Sequence, residues 1–325
     1  MVKPILEVMS IQKKFPVYGT FGRLVGPKSH IYAVSDVSFN LYEGETYGLV
    51  GESGSGKTTV GRILLGLTRA DSGKVIYNEK DLLSLSPKEI REFRKEIQMV
   101  FQDPFSSLNP RKKVGDMLEE ALIINKRGNG QQRQELIFSI LENVGLHPEH
   151  YFRYPHEFSG GQRQRLGLAR ALIIDPQIII CDEAVSALDV SIQAQILNML
   201  IELQETLKLT LLFITHDISV VRHISNRIGV MYLGTILEEA PTDELFSNTL
   251  HPYTKALFSS VLDFSGDKLK NRMILQGEIP TYTEEFKGCV FHTRCPNVTN
   301  ICQNKKPETK TNGNGHLVAC HHVEL

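Results

Sequence analysis

The sequence predicts an α/β fold, and three stretches predict it. "YGLVGESGSGKTTVGRILLGL" begins as a short apolar strand, turns through glycines and continues as an amphipathic helix. "PQIIICDEAVSALD" holds an apolar run, Ile178 to Cys181, that ends in two carboxylates, and "LTLLFITHD" is a further apolar run that ends at His216. Short apolar runs bounded by turn residues read as strands buried on both faces, the pattern of a parallel sheet covered by helices.

The first stretch contains Gly51, Glu52, Ser53, Gly54, Ser55, Gly56, Lys57, Thr58 and Thr59, and it satisfies G-x-x-x-x-G-K-[ST]. Glycines let successive backbone N–H groups turn inward as an anion nest, and the helix N-terminus adds its positive dipole end beneath the phosphates. Lys57 supplies a point charge for the β- and γ-phosphates, and the Thr58 hydroxyl is a ligand for Mg²⁺.

From Asp103 to about Arg170 the texture turns helical. "VGDMLEEALIIN" and "RQELIFSILENVGL" carry apolar residues at three- and four-residue spacings between polar ones. After this region Asp182, at a strand tip, suits a Mg²⁺ shell, and Glu183, one residue on, suits a general base facing the attacking water. In open parallel sheets ligands bind at the C-terminal edge, so an imidazole at His216 is placed to reach a γ-phosphate.

Thirty-six basic against thirty-seven acidic residues leave a net charge of −1, so no whole-chain basic field draws the protein to nucleic acid or anionic lipid. The start, "MVKPILEVMS", lacks the apolar core of a signal peptide, and no apolar stretch has the length of a membrane span. A cytosolic chain whose membrane contact runs through a partner is expected. At 325 residues, two domains or subdomain groups are expected.

"EFSGGQRQRLGLARAL" opens a helix on Ser159, Gly160, Gly161 and Gln162, a second helix terminus suited to an anion. With this stretch, with Gln102 in "MVFQDP", with Ser186 to Asp189 in "SALD" and with His216, the chain resembles the ABC-type ATPases, whose motifs it carries in the family's order across residues 5 to 250. The resemblance implies a RecA-like P-loop NTPase core with an antiparallel β edge and an inserted helical subdomain. The nucleotide-binding domain then spans residues 1–255, its helical subdomain about 103–170, and a linker with a cysteine-rich extension follows over 256–325. The resemblance also implies ATP with Mg²⁺, Gln102 joining Thr58 and Asp182 around the metal, and Glu183 and His216 acting in hydrolysis. It further implies a head-to-tail dimer in which Ser159 to Gln162 of one subunit close on ATP held by the other. Adenine is expected to stack on Phe15, or on Tyr18 or Tyr32, because Pro16 to His30 resembles an insertion.

"FQDPFSSLNPRKKVGDML" and "GTILEEAPTDELFSNTLHPYTKAL" closely resemble the ATP-binding subunits of oligopeptide and dipeptide importers, particularly the subunit labelled F. That resemblance implies a second ABC ATPase subunit as heterodimer partner, two integral membrane permeases, an extracytoplasmic solute-binding protein, no nucleic acid, and a peripheral place on the cytoplasmic face of the membrane. The nucleotide motifs carry no information on the solute, which is peptide, nickel or another small molecule. The alternative is a soluble ABC ATPase acting in DNA repair or on ribosomes; one P-loop, one signature and no heptad run set this chain apart from the usual form of those.

Four of the five cysteines fall in the last thirty-seven residues, spaced Cys289-x5-Cys295-x6-Cys302-x17-Cys320. The spacing lacks the close pairs of structural zinc sites and differs from ferredoxin runs. "GCVFHTRCP", "CQNKKPE" and "GHLVACH" resemble a cysteine-bearing tail found in peptide-importer ATPases, and that resemblance implies a [4Fe–4S] cluster on Cys289, Cys295, Cys302 and Cys320. Zinc, with His292, His316, His321 or His322 as further ligands, and free thiols remain the alternatives. Cys181 reads as a small buried hydrophobe.

Overall fold

The computed structural model describes residues 3–18, 29–103, 108–259 and 286–324. In chain order its elements are β1 (Leu6–Val17), β2 (Ser29–Leu41), β3 (Thr46–Val50), α1 (Lys57–Leu64), β4 (Ser72–Tyr77), β5 (Lys80–Asp81), α2 (Pro87–Glu96), β6 (Ile97–Val100), α3 (Val114–Ile124), α4 (Gly130–Asn143) and α5 (Gly160–Leu172). There follow β7 (Ile178–Asp182), α6 (Val190–Leu207), β8 (Thr210–Thr215), α7 (Ile218–Ile224), β9 (Arg227–Tyr232), β10 (Thr235–Pro241), α8 (Thr242–Ser247), α9 (Pro252–Phe258), α10 (Asn300–Asn304), β11 (Thr309–Thr311) and β12 (Leu317–Ala319). Among the described residues, no helix is long and apolar enough to cross a membrane.

Two compact units result. One comprises Met1–Leu41, Tyr47–Ser84 and Thr215–Leu325, and the other Tyr42–Thr46 and Leu85–Ile214. The first has strands in the order β5-β4-β1-β2-β10-β9-β3. β1 is antiparallel to β2 and β4, which makes the antiparallel edge, while β3 runs parallel to β9. Pro16 pairs with His30 and Val17 with Ser29, so the ends of the expected insertion continue the β1–β2 hairpin; residues 19–28 between them lie outside the described residues.

The cysteine-bearing tail belongs to this same unit. β12 pairs antiparallel with β10 at Glu238 and Glu239, and β11 pairs with β12. Phe286, Cys289, Val290, Phe291 and Cys302 share one apolar cluster with Val50, Val230, Tyr232, Leu245 and Tyr253. Sequence reading places a polar linker before the tail; that linker, "DFSGDKLKNRMILQGEIP", lies outside the described residues.

In the second unit β6, β7 and β8 form an all-parallel ladder, with Val100 opposite Cys181 and Cys181 opposite Phe213. Every residue of β7 and β8 is buried, which is why their sequences are apolar runs and not alternations. The helical region of this unit includes α3, α4 and α5. α4 starts at a capping box in which Asn129 accepts from the Gln132 N–H and Gln132 accepts from the Asn129 N–H.

Candidate active site

The phosphate loop follows β3, all five of whose residues are buried, and ends at the first turn of α1. Gly56 sits at φ 103°, a left-handed conformation, and a Cβ there would meet the Ala33 carbonyl oxygen at 2.1 Å. No other residue type fits that position without moving backbone. Lys57 is 4 % exposed, and its Nζ donates to the Gly51 carbonyl at 2.8 Å, the Glu52 carbonyl at 2.9 Å and the Ser55 hydroxyl at 3.2 Å. The ammonium thus caps the loop's own oxygens. Gly54 also has positive φ, Ser55 is buried, Ser53 is exposed, and Thr58 and Thr59 lie in the first turn of α1.

Glu52 is held from several sides. Its N–H donates to the Tyr253 hydroxyl at 3.0 Å, and its carboxylate accepts from both terminal nitrogens of Arg294 at 2.7 and 3.2 Å. Sequence reading did not single out Tyr253 or Arg294. Arg294 lies 242 positions away from Glu52 in the chain, and nothing in either residue's local pattern announces the contact.

In the second unit the carboxylate pair stands at the C-terminal end of β7. Asp182 is 5 % exposed, opposite Ile214 of β8. Glu183 leaves the strand at φ 50°, a left-handed conformation uncommon for a side chain of this size, and its N–H donates to the Ile214 carbonyl at 2.9 Å. This turn brings Glu183 to Gln102, which follows the end of β6: the Gln102 amide Nε2 donates to Glu183 Oε2 at 2.7 Å. Cys181, fully buried before the pair, has its thiol pushed up to about 12 by burial, with the Asp182 charge adding to the effect, so it stays protonated as an inert core group.

His216 is exposed immediately after β8, where Asp217 caps α7 by accepting from the Ser219 and Val220 N–H groups at 2.8 and 3.3 Å. The signature residues open α5. Ser159 Oγ accepts from the Gln162 N–H at 3.4 Å, and Gln162 Oε1 accepts from the Ser159 N–H at 3.1 Å, a capping box that leaves Ser159 and Gly160 exposed. A Cβ on Gly161 would lie 2.5 Å from Ile192 Cγ2, so α5 and α6 approach through that glycine. Phe15 is 40 % exposed on β1, with Lys13 Nζ 5.5 Å from its ring centre; Tyr18 is also exposed and Tyr32 half-buried.

Comparison with known proteins bears on the whole chain. Residues 34–186 match the family model described as ABC transporter, and residues 237–302 match that of the oligopeptide/dipeptide transporter C-terminal region. The oligopeptide transport ATP-binding protein AppF of Bacillus subtilis is 51 % identical over 98 % of this chain and 97 % of its own length. The chain belongs to the ABC transporter ATP-binding family. Within it, the dipeptide transport ATP-binding protein DppF of Escherichia coli is 45 % identical, over 99 % of this chain and 95 % of that protein. Among solved structures, the ATP-binding cassette MJ0796, in a dimeric post-hydrolysis state with ADP and Pi, superposes with a TM-score of 0.64 at 28 % identity, covering 73 % of this chain and 98 % of that one. This ABC ATPase therefore has the P-loop NTPase fold expected of its motifs, and ATP hydrolysis is its reaction.

In the tail, Cys289, Cys302 and Cys320 are buried and Cys295 is half-buried; none is in a disulfide. Burial pushes the Cys289 thiol up to about 11, with the neighbouring Cys320, Cys295 and Cys302 adding to the effect. The Cys289 N–H donates to the Cys302 carbonyl at 2.8 Å, and Cys295 packs against the same apolar cluster. Cys302 Sγ is 3.3 Å from His322 Nε2. Among the described residues, no three His, Cys, Asp or Glu side chains converge as a group able to hold a metal ion. The donors are right in kind for a cluster or a zinc ion, and they stand apart from the closure either would require.

Proposed function

We propose that this chain powers uptake of oligopeptides or dipeptides as the ATP-hydrolysing subunit of a membrane importer. The observation that carries the reading is the match of residues 237–302 to the oligopeptide/dipeptide C-terminal region, on a chain that aligns end to end with peptide-transport ATP-binding proteins.

Gly51 to Thr59 bind the phosphates: the loop N–H groups face the anion and Lys57 leaves the loop carbonyls for the phosphate oxygens. The residues suited to Mg²⁺ are the Thr58 hydroxyl, the Gln102 amide and the buried Asp182 carboxylate, and the ion, when bound, neutralises charge on the phosphates. Glu183, oriented by Gln102, accepts a proton from the attacking water, and His216 contacts the γ-phosphate. Phe15 stacks on adenine, with Tyr18 and Tyr32 as alternatives. Ser159, Gly160, Gly161 and Gln162, at an exposed helix start, complete the ATP site of a second, homologous ATPase subunit, giving a heterodimer that closes on ATP and reopens after hydrolysis. Two permeases and a solute-binding protein complete the importer, with this subunit on the cytoplasmic face of the membrane.

The tail cysteines Cys289, Cys295, Cys302 and Cys320 are the proposed ligands of a [4Fe–4S] cluster, with zinc as the alternative. What supports this is a set of four thiols outside any disulfide, with Cys289, Cys295 and Cys302 at one apolar cluster; binding requires the four to draw together. Iron, sulfide and zinc per chain after anaerobic purification distinguish the outcomes, about four irons and four sulfides supporting the cluster.

The function itself is tested in proteoliposomes carrying the chain with its permeases. ATP-dependent uptake of a labelled di- or oligopeptide, lost in Lys57→Ala, supports it. ATP turnover stimulated by RNA or DNA and indifferent to peptide would favour a non-transport ATPase instead.

A further inference from the structure

Glu52, the second residue of the phosphate loop, introduces a negative charge into a loop whose task is to receive phosphates. Left alone it would repel them. The structure supplies a counter-charge from the far end of the chain. Arg294, in the cysteine-bearing tail, donates to both carboxylate oxygens in a forked pair, and Arg294 Nη1 also reaches the Tyr232 hydroxyl at 3.4 Å. The Arg294 side chain is 7 % exposed and that of Glu52 22 %, so water screens this pair far less than a surface ion pair.

The tail also supplies the packing beneath the loop. Phe291, fully buried, lies with its ring centre 5.4 Å from those of both Tyr232 and Tyr253, and Tyr253 is the residue whose hydroxyl accepts from the Glu52 N–H. The Arg294 N–H donates to the Phe291 carbonyl at 3.0 Å, so ring and guanidinium come from one turn of the tail. Glu52 is thus clamped at its backbone by Tyr253 and at its side chain by Arg294, while its carbonyl accepts from Lys57. All of these residues lie in one compact unit.

We propose that Arg294 is a positioning residue of the ATP site: by pairing with Glu52 it cancels the loop's carboxylate charge and fixes the loop in its phosphate-receiving shape, so that the cysteine-bearing tail sets the affinity for ATP. The proposal rests on the phosphate loop being the ATP site, as stated under the proposed function. Arg294 immediately precedes Cys295, one of the four tail cysteines.

The test is ATP affinity, measured on the full chain by displacement of a fluorescent nucleotide, with KM and kcat for ATP alongside. Arg294→Ala is expected to weaken ATP binding about tenfold and raise KM with little change in kcat. Arg294→Lys, which keeps the charge and loses the fork, recovers most of that loss. In a Glu52→Gln background, where no carboxylate needs cancelling, Arg294→Ala changes affinity by no more than about twofold. Equal affinity in Arg294→Ala and the unaltered chain overturns the proposal, as does a loss of the same size in both backgrounds. Should Arg294→Ala fail to fold, Arg294→Gln, which removes the charge and keeps a hydrogen-bonding side chain, is compared in the same two backgrounds with the same expected non-additivity. Lys57→Ala is the control: if it binds ATP as well as the unaltered chain, the ATP-site reading fails, a result separate from any involving Arg294.

Discussion

The Gln102 side-chain amide donates to Glu183 Oε2 at 2.7 Å across 81 positions of sequence. Both residues lie beyond the C-terminal ends of neighbouring parallel strands, and the left-handed turn at Glu183 aims its carboxylate toward the glutamine. Gln102 thereby orients the group proposed as general base in addition to its expected place near Mg²⁺. Gln102→Ala should lower kcat for ATP on the order of ten- to a hundredfold, with a smaller change in nucleotide affinity. Steady-state kinetics check this, and a loss confined to affinity would remove Gln102 from the catalytic step.

Phe291 is wholly buried in the cluster that joins the tail to the ATPase core. Phe291→Ala should destabilise the first unit by about 3–5 kcal/mol, because it removes a large ring from a site walled by Tyr232, Tyr253 and His251. Thermal or urea melting checks it. A tail merely appended to the core would give a much smaller loss.

Stability should pass through a maximum near pH 6.5, for two reasons of opposite sign. Burial holds the His251 imidazole down to about 4, so its contribution is present above the ordinary histidine value and is lost as pH falls from about 6.5 towards 4, about 3 kcal/mol in all. His316, when protonated, donates from Nε2 to Glu238 at 2.9 Å and from Nδ1 to Glu244 at 3.2 Å, and the Glu238 hydrogen bond raises its pKa. Its contribution is therefore present below about 6.5 and is lost as pH rises through the raised value. Melting curves from pH 4 to 9 should lose their acid arm in His251→Asn and their alkaline arm in His316→Asn.

Much of this architecture is legible in the sequence because its signals are local. Gly51 to Thr58 carry the loop in eight consecutive residues, and the apolar runs of β7 and β8 announce a buried parallel ladder ending at Asp182, Glu183 and His216. What is not legible is what the chain assembles from a distance. Arg294 was visible only as part of a cysteine motif, and its pairing with Glu52 has no periodicity or spacing to betray it. Likewise nothing in the local pattern of β12 announces that it pairs with β10 at Glu238 and Glu239, two carboxylates that are 1 % and 2 % exposed. Glu238 is buried because the Leu250 and His251 N–H groups and His316 satisfy it. The four tail cysteines were legible as a set, while their spacing alone left cluster, zinc and free thiols equally open.

ATP hydrolysis with Glu183 as the proposed base is tested by comparing Glu183→Gln with the unaltered protein in one preparation, measuring bound ATP and released phosphate together. ATP binding is expected to be retained and phosphate release reduced at least about a hundredfold, with the nucleotide-bound dimer accumulating. Phosphate release at the unaltered rate in Glu183→Gln would contradict that role.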